Sequence, residues 1–91
     1  LIYKGCFIKK DEYGEKSRVE ECFVVEDGEF ALEQLFEEAG LPFPPWNLEK
    51  KKALNEGSLV LFKEEFIGVG PNDDQIAKMD FDEFIIEKGK Y

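Results

Sequence analysis

Seven residues in the middle of the chain, Gly40-Leu41-Pro42-Phe43-Pro44-Pro45-Trp46, limit its possible folds most sharply. Each proline fixes its own φ and pushes the preceding residue toward extended backbone, so neither a helix nor a central strand can run through them. The stretch divides 91 residues into two short halves. A chain of this length is one domain, 1–91, with a modest core that nine Phe, one Trp and three Tyr enlarge.

In the first half, residues 2–10 alternate as a strand, with Tyr3, Gly5 and Phe7 on one side and Ile2, Cys6 and Ile8 on the other. The polar run 11–16, with Gly14 at its centre, reads as a hairpin loop, and 18–26 returns with Val19, Phe23 and Val25 opposite Cys22 and Val24. Folding about Tyr13-Gly14-Glu15 brings Cys6 across from Cys22, where a disulfide is geometrically conceivable; two reduced thiols are expected instead, for a cytoplasmic chain. Asp27 is the expected N-cap of a helix over 29–39, with an apolar stripe of Leu32, Leu35, Phe36 and Ala39 and Gly40 as its left-handed stop.

The second half reads as a short helix 48–56 capped by Asn47, a strand-like stretch 58–70 bent at Glu64 and Glu65, a helical turn after Asn72, and a last strand 81–88. Within 58–70, Val60, Phe62 and Phe66 are expected to share one side. The fold class is therefore α+β: an antiparallel sheet of four to five strands with one helix and a shorter second helix on one face.

Charge is distributed unevenly. The chain carries 12 basic and 21 acidic residues, net −9, and residues 11–38 alone hold eleven acidic and two basic ones. Glu29, Glu33 and Glu37, four apart, form one line on the expected helix, an arrangement that slightly disfavours it. Phe30 lies beside that line and off the apolar stripe. An aromatic rimmed by carboxylates has the make-up of a binding hot spot with steering charge around it; the structural alternative is a solvated helix face with Phe30 tucked under the hairpin.

Sites for chemistry are poorly supplied. Histidine is absent, and two cysteines sixteen apart do not make a zinc site. An EF-hand loop laid back from Glu83 puts Ile76 where an oxygen ligand belongs and Ala77 where Gly is needed, so calcium is rejected. The carboxylates Asp73, Asp74, Asp80, Asp82 and Glu83 lack the companion cations of a phosphoryl-transfer site and read as caps and surface charge. Gly68-Val69-Gly70 is a turn, and Lys50-Lys51-Lys52 an internal counter-charge or solvated helix face. Pro42 and Pro45 have Pro-x-x-Pro spacing, but between two helices they read as a stiff crossover whose Phe43 and Trp46 cover the core.

These readings point away from an enzyme and toward a small acidic binding protein with no catalytic residue, metal or cofactor. Its expected partner is a basic protein, a nuclease or another nucleic-acid-binding protein, whose surface it blocks as an inhibitor of the phage or bacterial anti-defence, anti-CRISPR or immunity type. Direct contact with nucleic acid or an anionic membrane is opposed by the net charge. The expected partner-binding residues are Glu26, Asp27, Glu29, Phe30, Glu33, Glu37, Glu38 and, if exposed, Trp46. No run approaches the length of a membrane span and residues 1–10 lack the pattern of a signal peptide, which makes the cytoplasm the default compartment. Two alternatives stand beside this reading: a small-ligand module with an aromatic pocket near Trp46, Phe43 and Tyr13, and an assembly subunit or homodimer joined through exposed Phe residues.

Overall fold

A computed structural model describes residues 2–18, 22–70 and 73–89. Its strands are β1 (Ile2–Lys10), β2 (Lys16–Arg18), β3 (Phe23–Glu26), β4 (Ser58–Phe62) and β5 (Glu83–Gly89), and its helices α1 (Ala31–Ala39), α2 (Leu48–Asn55) and α3 (Asp73–Lys78), with a 3-10 turn over Lys63–Phe66. Every strand pairing is antiparallel. The order across the sheet is β2-β1-β5-β4, and β3 joins the same side of β1 as β2, so the first and last long strands lie together at the centre. This is the expected α+β architecture.

The return of the hairpin is two strands rather than one. Arg18 pairs with Ile8 and Phe23 with Gly5, which leaves four positions on one side of the gap against two on the other. Cys22 stands at the near end of β3, and there it is joined to Cys6 in a disulfide with a Cα–Cα distance of 4.4 Å. The expectation of two reduced thiols is thereby corrected. Cys6 and Cys22 continue the β1–β3 register as a directly opposed pair, and such pairs lie close enough to be bridged. The facing of Val19 and the capping role of Asn72 lie outside the described residues.

Alternation along each strand decides which side is core. Tyr3 and Phe7 on β1, Val25 on β3, Leu59 and Leu61 on β4, and Phe84 and Ile86 on β5 are buried together with Leu35, Phe36, Leu54 and Ile76 of the helices. Phe84 is the hub, with ring centroids 5.0 Å from Phe7, 5.8 Å from Phe36 and 6.5 Å from Phe66. Gly5 makes this possible: a Cβ there would come within 2.5 Å of the Phe84 ring. Phe66 does not share a side with Val60 and Phe62, because the 3-10 turn ends the strand at Phe62 and swings Phe66 into the core.

Helix boundaries follow local chemistry where a cap is available. Asn47 accepts the Lys50 N–H at 2.8 Å and starts α2, and Gly40, at φ 76°, ends α1. The start of α1 differs from the expected one: Asp27 does not cap it, and it begins at Ala31 after Phe30, whose side chain makes no cap bond. Glu26 is still paired with Ile2 in the sheet, so residues 27–30 are used to turn the chain until Ala31, Leu35, Phe36 and Ala39 face the core.

Candidate functional site

The stretch from Glu26 to Glu38 runs from the end of β3 through the turn into α1. Asp27, Glu29 and Phe30 stand in the turn, all exposed, and Phe30 is 69% exposed rather than tucked under the hairpin. On α1 the buried positions face the sheet, so Glu33, Glu37 and Glu38 face away from it. Glu33 and Glu37 keep the four-residue spacing of a line along the helix, but Glu29 precedes α1 and does not extend that line. Glu26 alternates with buried Val25 and therefore projects on the opposite side of the sheet from α1.

None of these six carboxylates has a hydrogen bond or ion pair among the described residues. Those of the C-terminal part are used differently. Asp80 pairs with Lys9 at 2.6 Å, Asp82 accepts the Lys10 N–H at 2.7 Å, and Asp73 accepts the Gly68 N–H at 3.0 Å. Glu65, in the 3-10 turn, accepts the Phe62 N–H at 2.7 Å and meets Lys50 at 3.1 Å. The counter-charge reading of the lysine cluster thus holds for Lys50, while Lys51 and Lys52 are exposed.

Glu83 departs most from expectation. Read from the sequence as surface charge, it is 2% exposed, at the start of the inner strand β5 between Ile8 of β1 and Phe62 of β4. Lys16 lies 3.0 Å from its Oε1 and Lys10 3.7 Å from its Oε2, both reaching in from solvent. Oε1 accepts no hydrogen bond among the described residues, so Lys16 neutralises it as a point charge without bonding geometry. Nothing in the local sequence signals this, because both cations come from the other end of the chain.

Trp46 is half-buried. It packs at a tilt against Phe43 with ring centroids 5.5 Å apart, and Phe43 in turn meets Phe36 edge-on at 5.3 Å, which makes the proline segment a cover for the core. Tyr13 stands 85% exposed in the hairpin loop, held by Asp11, which accepts the Tyr13 and Glu15 N–H groups. An open cleft of about 380 Å³ lies elsewhere, along β4 beside Val60 and Phe62 and under Asn47, Lys50 and Glu65. No group of three or more potential metal ligands comes together among the described residues, and no helix among them is long and apolar enough to cross a membrane. Comparison of the chain with protein-family models, curated proteins and solved structures finds no match.

Proposed function

We propose that this protein binds a basic protein partner through the acidic turn and helix around Phe30, and that it acts as an inhibitor by covering a nucleic-acid-binding or catalytic surface. One observation carries the reading: an exposed aromatic stands among Asp27, Glu29, Glu33, Glu37 and Glu38, carboxylates that no cation of the described fold neutralises. Unpaired carboxylates raise the negative potential that steers a basic partner, and an exposed Phe supplies apolar area once contact is made. Glu26, on the other side of the sheet, and Trp46, committed to the core, have secondary places in this reading. A nuclease or other nucleic-acid-binding protein fits because its surface already accepts closely spaced negative charge. An anti-defence or anti-CRISPR protein of a phage, or a bacterial immunity protein, is the biological class that joins these properties.

The test is affinity capture from host lysate at low and high salt, followed by direct titration of the captured protein with wild type and with Phe30→Ser/Glu33→Lys/Glu37→Lys. The expected result is a nucleic-acid-binding protein retained at low salt, displaced by DNA or RNA, and bound at least tenfold more weakly by the variant. Equal affinity of wild type and variant would remove this face from the function.

A further inference from the structure

Only one face of the sheet is covered by helices; the opposite one carries none among the described residues. Strand register sets the side chains of that outer face in rows. The central row runs from Cys22 through Cys6 and Ile85 to Val60 and is apolar from edge to edge. On one side of it lie Ile8, Glu83 and Phe62, with Arg18 at the register position opposite Ile8 and with Lys10 and Lys16 converging on Glu83, so this end is net positive. On the other side lie Val24, Glu26, Lys4 and Glu87, the last two directly opposed, and this end carries one net negative charge. Val24, Val60 and Phe62 are 51%, 38% and 49% exposed.

We infer that this outer face is the contact between two copies of the chain, stacked sheet on sheet about a two-fold axis along the central row. An isologous contact must be complementary to itself, and this face is. The turn lays Val60 and Ile85 on their own counterparts and sets the positive end, with Lys16, over the negative end, with the partner's Glu26. Paired sheets with interleaved apolar rows are a standard packing, with the sheets about 10 Å apart.

Charge also selects a second copy over other occupants. The chain is net −9 and residues 11–38 account for all of it, whereas this face carries opposite signs at its two ends. A basic partner is drawn more strongly to the helix side, and an acidic one is repelled by the molecule as a whole. A second copy carries the same net charge, but stacking through the sheets turns both α1 helices outward and sets opposite signs against each other at the two ends of the contact, which lowers that repulsion. The dimer does not depend on the proposed function; if both hold, it presents two acidic faces on opposite sides.

Sedimentation equilibrium from about 1 μM to about 500 μM tests this. The expected mass rises from 10.5 kDa toward twice that value in wild type. Val60→Lys/Phe62→Lys should remain at the monomer mass with an unchanged circular dichroism spectrum and melting temperature, since both side chains point away from the core. Should that variant unfold, Val24→Lys at the far end of the face serves instead. Phe30→Ser/Glu33→Lys should dimerise like wild type, which separates this contact from the acidic face. A wild-type chain that stays monomeric throughout, or a dimer that survives the lysines on this face, overturns the inference.

Discussion

The carboxylates of residues 26–38 and those of residues 73–89 are equally acidic and have opposite roles. In the C-terminal stretch Asp73, Asp80, Asp82 and Glu83 each hold a backbone amide or a lysine: Asp73 ties the start of α3 to Gly68, and the other three tie β5 and the segment before it to β1 and β2. In the stretch around α1, six carboxylates project with no partner among the described residues. The first set is consumed by folding; the second leaves its field outside the molecule. Counting acidic residues does not separate the two, but asking what each oxygen accepts does.

The largest way to test that contrast is to detach the acidic segment from the sheet. Opening the Cys6–Cys22 bridge, which closes a loop with a sequence separation of 16, should cost about 3 kcal/mol in the chain-entropy account. Urea unfolding of Cys6→Ser/Cys22→Ser against the oxidised wild type measures it, and hydrogen exchange should rise first in β3. Next, Lys10→Met/Lys16→Met leaves the Glu83 carboxylate buried without a cation and should destabilise by about 2–3 kcal/mol, less than for a fully enclosed pair because both lysines are half-exposed. Adding Glu83→Leu to that background should recover most of the loss. If it does not, the carboxylate is not the cause.

Smaller effects sharpen the same contrast. Asp82→Ala removes the acceptor of the Lys10 N–H at the exposed end of the sheet and should cost about 1 kcal/mol, read by thermal unfolding. Glu33→Gln/Glu37→Gln should shift stability by no more than about 0.5 kcal/mol, in the favourable direction, because it relieves a like-charge pair one helical turn apart. A loss of more than 1 kcal/mol there would show that these carboxylates hold the fold together after all.

Local chemistry made part of the fold legible. The alternation of residues 2–10, the stop at Gly40, the Asn47 cap and the proline crossover were all readable, because each depends on residues within one or two turns of chain. The start of α1 was not: Asp27 is a good cap by type, but the β1–β3 pairing runs through Glu26 and delays the helix to Ala31. The facing of Phe66 is not legible from alternation either, because Glu65 accepts the Phe62 N–H and the 3-10 turn that follows breaks the period of two. Of the candidate site, the Glu33–Glu37 spacing on the helix was legible, whereas the turn that takes Glu29 off that line and exposes Phe30 was not.

By itself, then, the sequence determined the element types, their order, the antiparallel α+β class and the concentration of charge in residues 11–38, since propensity, alternation and charge are carried by each residue wherever it ends up. Only the tertiary structure decided that Cys6 and Cys22 are bridged rather than merely opposed, that Glu83 is enclosed by lysines from the far end of the chain, and which carboxylates remain unpaired. The enclosure of Glu83 depends on β1 and β5 lying side by side although about 80 residues separate their pairing partners. Contact between segments so distant is a property of the folded sheet, and no window along the chain contains it.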